Sequence, residues 1–253
     1  GVPYVTVMTD LADHPPNFWI EPDLAQTIVC GTPKAVAQAH AAGMPTQRIR
    51  ASSGMILRPA FYESCELDRA AARRALGLDA DSPVGIVMFG GHGSVQMLQI
   101  ARALPDVQLI FACGHNVSLL AELQALTRRA PHAAVGFTQD VPRLMRLADF
   151  FVGKPGPGSL SEAVHLGLPV ITFDTATNLP QERYNVEWVR ERGLGIAVPS
   201  VRSLSSATAQ LLAHWDTYLR QVRRVENRAV FEVLELFEQL LAEAPSRQSE
   251  QMT

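Results

Sequence analysis

Cysteine is scarce in this chain: Cys30, Cys65 and Cys113 are the three present in 253 residues, and no two form a CxxC pair. That spacing excludes a disulfide framework and a thiolate metal site, and predicts free, buried thiols in a reducing compartment. Charge of one sign is equally lacking. The 22 Lys and Arg stand against 25 Asp and Glu, a formal net charge of −3, with no basic block to track phosphates. This argues against nucleic acid as a partner. Although 47% of residues are hydrophobic, no apolar run is long enough to span a bilayer, and no signal peptide precedes the first motif. HExxH, a Walker lysine and a Ser-His-Asp order are all missing, and the seven histidines are scattered. Neither a metal nor a cofactor is expected. An initiator Met is missing too: Gly1 runs straight into PYVTVMTDL, a strand-like start that predicts a chain beginning inside a longer protein.

What is present is an alternation of short apolar runs and amphipathic stretches. Strands are expected at Gly85–Phe89, Val107–Cys113, Ala133–Phe137, Phe150–Val152, Val170–Phe173 and Gly195–Val198. Helices are expected between them at Ser94–Ala103, Ser118–Arg129, Val141–Leu147, Ser159–Leu166 and Glu182–Arg192. The strands do not alternate polar with apolar, as in a parallel sheet covered on both faces, so the fold class is α/β with a doubly wound, Rossmann-like sheet. Ligands of such sheets bind outside the carboxyl ends of the strands. Upstream, Val2–Met8, Gln26–Cys30 and a helix at Pro33–Ala42 read as the remnant of a second α/β domain. The expected organisation is 1–60 for that remnant and its linker, 61–200 for the main domain, 201–245 for C-terminal helices and 246–253 for a disordered tail. Ser203–Trp215 and Thr217–Ala242 are expected as two helices, with Arg220, Arg223, Arg224 and Arg228 on a solvated face.

Five turns fall at expected strand ends. FGGHGS supplies Gly90, Gly91 and Gly93 for close backbone approach, His92 as a phosphate or sugar contact or a plain loop residue, and Ser94 as a cap or phosphate ligand. It is not GxGxxG, and an acidic residue about 20 positions on is lacking. CGHN, at 113–116, reads equally as a helix start capped by Asn116. In GFTQDV, Phe137, Thr138 and Val141 could flank a uracil whose edge is read by main-chain groups. The strongest is VGKPGPGSLSEAVHLGLPVI, with Lys154, Gly156, Pro157, Gly158, Ser159 and Glu162. A helix N-terminus reached through a glycine turn suits a phosphate, and a carboxylate one turn in suits the vicinal hydroxyls of a ribose. Ser159 with Glu162 also reads as a capping box, which leaves Lys154 and the glycines without a role. In NLPQERYN, Gln181, Glu182 and Asn185 offer amides and a carboxylate at a helix start, groups suited to sugar hydroxyls.

Taken together, FGGHGS, FACGHN, GFTQDV, ADFFVGKPGPGSLSEAVHLGLPVI and LPQERYN resemble the C-terminal half of a GT-B glycosyltransferase of the MurG and monogalactosyldiacylglycerol synthase type. VMTDLADHPPNFW and SGMILRPAF are similar to the end of that family's N-terminal domain and its hinge. The resemblance implies inverting, metal-independent transfer of a hexose from a UDP-sugar to a lipid hydroxyl such as diacylglycerol. It implies Glu162 on the ribose, Phe137 and its neighbours on the uracil, Gly90–Ser94 and Gly156–Ser159 around the diphosphate, and Gln181, Glu182 and Asn185 on the sugar. It further implies a cytoplasmic protein held peripherally at the inner membrane through an N-terminal domain mostly missing from this chain. The sequence departs from the family there, at His115, where plant-type relatives tend to have arginine, and in the loop Asp174–Leu179, which is longer than usual. Two alternatives stand beside the transferase. A nucleotide-sugar-binding subunit of a split enzyme is disfavoured by the strand-like start, and a UDP-sugar 2-epimerase by the glycolipid-type motifs.

Overall fold

The computed structural model describes residues 3–176 and 178–243, and these divide into two compact units, Gly1–Arg58 with Glu226–Thr253 and Pro59–Val225. The first unit contains three parallel strands side by side in chain order, β1 (Tyr4–Val7), β2 (Gln26–Cys30) and β3 (Ile49–Ala51). Helix α1 (Pro33–Ala41) links β2 to β3. It starts where Thr32 accepts the Ala35 N–H at 3.1 Å and Pro33 presets the first helical φ. Met8, Ile20, Ile28, Cys30 and Ala39 form the core beneath. Asp13 is buried because its carboxylate accepts the N–H groups of Asn17, Phe18 and Trp19, which ties down the loop after β1.

The second unit opens with α2 (Arg69–Ala75) and is built on six parallel strands: β4 (Val84–Met88), β5 (Gln108–Gly114), β6 (His132–Gly136), β7 (Phe150–Gly153), β8 (Val170–Phe173) and β9 (Gly195–Val198). Their order is β6-β5-β4-β7-β8-β9, so the winding reverses between β4 and β7. Helices α3 (Gln96–Ala103), α4 (Val117–Gln124), α5 (Val141–Arg146), α6 (Pro157–His165) and α7 (Pro180–Glu191) connect the strands, and α8 (Leu204–Ala213) and α9 (Trp215–Val222) follow. Every residue of β4, β7 and β8 is buried, which is why these strands are unbroken apolar runs. Phe111, Phe150, Val152, Ile171 and Leu204 belong to one continuous core. At the reversal the backbones nearly touch: a Cβ on Gly153 would lie 2.3 Å from the Met88 carbonyl oxygen. Glycine is required there.

Three expectations change. The single helix expected at Thr217–Ala242 is two, α9 and α10 (Ala229–Glu243). The cause is Asn227, whose amide donates to the Met55 carbonyl at 2.9 Å and accepts the Ala229 N–H at 3.0 Å, starting a new helix in the first unit. There Val233 and Leu236 pack on Val29. Helix α6 begins at Pro157, two residues before the expected start, with Gly156 as its N-cap. Ser159 therefore lies inside the helix and forms no capping box with Glu162. Cys65 is exposed, while Cys30 and Cys113 are buried. The tail expected at 246–253 lies outside the described residues.

Candidate functional site at the carboxyl edge of the sheet

The five glycine- and amide-bearing turns leave the carboxyl ends of β4 to β8, and the loops after β4 and β5 interlock through backbone atoms. The loop after β4 carries Gly90 and Gly93 at φ +77° and +58°, conformations that a side chain would strain. Its Gly91 carbonyl accepts the His115 N–H at 2.9 Å from the loop after β5. The contact is possible because Gly114, at φ +59°, has no Cβ, which would sit 2.0 Å from that same oxygen. Asn116 completes the seam. Its amide donates to the His92 carbonyl at 3.2 Å, and its oxygen caps α4 through the Leu119 N–H at 3.0 Å. The Ser94 hydroxyl is used locally, accepting the Gln96 N–H at 3.2 Å, while α3 itself has no side-chain cap.

The rings of the same loops form a row. His92 and His115 have centroids 5.8 Å apart, and His115 stacks on Phe137 at 4.0 Å with 19° between planes. Phe137, after β6, is 58% exposed, a large apolar face left open to solvent where core packing would bury it. His115 had no role in the motif reading. Through-space stacking with a residue 22 positions later is the signal, and it exists only once β5 and β6 are paired. Thr138 and Val141 lie apart from this row. The Thr138 hydroxyl accepts the Asp140 N–H at 3.0 Å, and its side chain lines a cavity of about 330 Å³ with Ala72, Leu76 and Arg143. Val141 is the first residue of α5, behind the Asp140 cap.

On the other side of the reversal, β7 leads into Lys154-Pro155-Gly156 and the nine-residue α6 begins with no side-chain cap. Pro157 has no N–H to satisfy, and the first N–H groups after it have no partner within the helix, so a negative group is favoured there. Ser159 and Glu162, one turn apart on α6, are both half-buried. Helix α7 clamps the loop before α6. Glu182, only 6% exposed, pairs with Lys154 Nζ at 3.1 Å, so the lysine charge is held in place and partly balanced. Asn185, fully buried, donates from Nδ2 to the Pro155 carbonyl at 2.7 Å. That carbonyl can only accept, which fixes the amide orientation and leaves Asn185 Oδ1 without a hydrogen-bond partner. A buried acceptor without a donor costs about 1–3 kcal/mol, so the site holds an unmet demand for an O–H or N–H. Gln181 stands one turn before Asn185, half-buried at the start of α7.

The structure thus groups Gly90, Gly91, His92, Gly93, Ser94 and Phe137 on one side of the reversal. Lys154, Gly156, Pro157, Gly158, Ser159, Glu162, Gln181, Glu182 and Asn185 gather on the other. Chemically, this edge offers an open aromatic face, an uncapped helix N-terminus beside a cation, and buried hydrogen-bonding groups for hydroxyls. The thiol of Cys113, one residue before Gly114, is no nucleophile: burial pushes it up to about 11.

Residues 86–222 match the model of the glycosyltransferase family 28 C-terminal domain. The chain is similar to the probable monogalactosyldiacylglycerol synthase 2, chloroplastic, of Oryza sativa subsp. japonica, at 30% identity over 241 residues, covering 90% of this chain and 49% of that protein. It is similar to monogalactosyldiacylglycerol synthase, chloroplastic, of Spinacia oleracea at 29% identity, covering 82% and 41%. The chain therefore spans about half the length of the curated relatives it matches. Among solved structures, Anabaena HepE in complex with UDP-glucose shares its fold at TM-score 0.60 and 16% identity, over 95% of this chain and 72% of that one. MurG of Acinetobacter baumannii does so at TM-score 0.55 and 14% identity, over 84% and 73%. The six-stranded unit has the Rossmann-like fold of GT-B glycosyltransferases.

Proposed function

This chain belongs to the glycosyltransferase family 28 C-terminal domain family, and on that premise we propose that its carboxyl edge binds the UDP-sugar donor of a glycosyltransferase. The uracil lies against Phe137, with its edge read by main-chain groups of the same loop. Glu162 accepts hydrogen bonds from the ribose hydroxyls. The diphosphate lies between the glycine loop Gly90–Ser94 and the N-terminus of α6, with Lys154 beside it. Gln181, Glu182 and Asn185 address the hexose, and the orphaned Asn185 Oδ1, closed to solvent in this structure, takes a sugar hydroxyl once the start of α7 shifts to admit it. Thr138 and Val141 are assigned to the support of the Phe137 loop.

The observation that carries this reading is the uncapped start of α6 at the sheet's reversal, next to a lysine fixed by Glu182 and an amide with an unmet acceptor. In the transfer, a hydroxyl of the acceptor attacks the anomeric carbon from the face opposite UDP, and the bond from that carbon to the diphosphate oxygen breaks. The acceptor proton leaves to a general base, and configuration inverts. Fixed N–H dipoles and Lys154 stabilise the charge growing on the departing diphosphate without reorganising. We extend the proposal to a lipid acceptor such as diacylglycerol, in keeping with the glycolipid synthases among the relatives. Peripheral association with the cytoplasmic face of a membrane follows, since a soluble donor and a lipid acceptor meet there.

Calorimetry with UDP, UDP-glucose, UDP-galactose and UDP-N-acetylglucosamine tests the donor reading. UDP is expected to bind, and Glu162→Ala to weaken it about tenfold, as loss of hydrogen bonds to a charged group implies. Equal binding of ADP and UDP, with Glu162→Ala indistinguishable from wild type, overturns it.

A further inference from the structure

The amino edge of the same sheet, a strand length of roughly 13 Å away from the loops above, holds a second concave site of different chemistry. A cavity of about 360 Å³ is lined by Arg69, Arg146 and Arg223, with Asp149, Leu168 and Trp215 among its other walls. Asp149 is the one carboxylate among the lining residues, and its charge is already spent. One oxygen pairs with Arg69 at 2.7 Å and the other with the buried Arg73 at 2.6 Å. Arg146 is anchored by the backbone, donating to the carbonyls of Phe61 and Glu63 at 3.2 and 2.8 Å from one nitrogen, which leaves the rest of its guanidinium uncommitted. No carboxylate pairs with Arg146 or Arg223 among the described residues. Gly167, on the same wall, faces open space: a Cβ there would meet nothing within 4 Å.

Three guanidinium groups around one already neutralised carboxylate leave an excess of positive charge in a concave, partly desolvated place. Like charges gathered this way repel one another unless a counter-charge joins them, and guanidinium forks match the paired oxygens of a phosphate. The ordinary alternative for surface arginines is a solvated helix face. Arg220 and Arg224 fit it, being exposed and outside the wall of this cavity. Arg223 does not, because it closes a cavity whose other two cations come from α2 and α5. Leu166, Leu168, Leu219 and the indole of Trp215 supply apolar wall next to the charge.

We infer that this cavity is a phosphate-binding site, separate from the donor edge, that takes a phosphate group on Arg69, Arg146 and Arg223 and lays any attached apolar portion along Leu168, Leu219 and Trp215. The phosphate is either free or the headgroup of an anionic phospholipid; the chemistry at the arginines is the same.

The test uses the full chain and a local readout, the indole N–H resonance of Trp215. Inorganic pyrophosphate is titrated in low salt, and sedimentation is measured with phosphatidylcholine vesicles and with equal mixtures of phosphatidylcholine and phosphatidylglycerol. A saturating shift of the Trp215 resonance that becomes at least about tenfold weaker in Arg223→Glu assigns the site to free phosphate, at the strength of charge-assisted bonds. Cosedimentation that needs the anionic lipid and is lost in Arg223→Glu assigns it to a headgroup. Arg223 is exposed and makes no internal bond that folding needs, and Arg223→Lys is expected to restore part of the binding. If neither probe binds, or both bind alike in wild type and Arg223→Glu, the inference is wrong. UDP binding, followed separately, is unaffected by either result.

Discussion

The two edges of one six-stranded sheet are finished in opposite ways. At the amino edge, side-chain charge closes the structure. Asp149 accepts from Arg69, Arg73 and the Val84 N–H, and Arg73 adds hydrogen bonds to the Leu147, Ala80 and Ser82 carbonyls. The starts of β4 and β7 are thereby pinned together. At the carboxyl edge the backbone itself forms the surface, through left-handed glycines and a seam between Gly91 and His115. Polar groups there are left incomplete: α6 has no cap and Asn185 Oδ1 no partner. The Asp149 cluster is satisfied from within the chain, and the polar groups of the carboxyl edge wait for a ligand. That is the division expected when binding energy is reserved for the carboxyl ends of parallel strands.

The comparison breaks most visibly at Asp149. Asp149→Asn removes the carboxylate paired with Arg73, which is 4% exposed, and is expected to cost about 3 kcal/mol in a urea titration, the lower end for a broken buried pair because Asp149 is partly solvated. UDP affinity in the folded fraction is expected to stay at the wild-type value. Gly114→Ala is the converse. Placing a side chain at φ +59° against the Gly91 carbonyl costs about 1–3 kcal/mol and parts the two loops. UDP affinity should fall by more than the amino-edge variant lowers it. A smaller effect is expected at Asn185: Asn185→Ala lowers the preference for UDP-hexose over UDP about fivefold by calorimetry, the worth of one hydrogen bond. An unchanged preference would reduce Asn185 to a clamp on Pro155.

The smallest expected effect is a pH dependence confined to the amino-edge side of α6. Burial holds His165 below its ordinary value of 6.5, with the nearby Arg146 charge adding to this and the Phe61 carbonyl, 3.3 Å from Nε2, opposing it. A group with a lowered folded pKa stabilises fully above its unfolded value, and the contribution fades as pH falls through the folded one. Stability should therefore decline below pH 6.5, and His165→Gln should flatten that part of the curve. A decline of equal slope in the variant would assign it to other groups.

Much of the fold was legible because parallel strands announce themselves as apolar runs between Gly and Pro. Val170–Phe173, Gly195–Val198 and Gln26–Cys30 are found where the residues predict them. The departures have local causes. Pro157 starts α6 earlier than its serines suggest, because proline is preformed for the first helical position. Strand β3 is three residues long and Arg-bearing, too short for any period. Asn227 divides a continuous helical pattern by bonding to a residue 172 positions away. At the candidate site the turns and their residue types were readable, and their pairing was not. Lys154 with Glu182, Asn185 with Pro155 and His115 with Phe137 are products of strand order, which no local pattern contains.

Chemical-shift mapping of UDP binding on the full chain tests the central claim most directly. If the carboxyl edge is the donor site, UDP shifts the amide resonances of Gly91, Gly158 and Ser159 and leaves the Trp215 indole at its free position. Shifts centred on Trp215 and Arg223, with Gly158 and Ser159 unmoved, would contradict it.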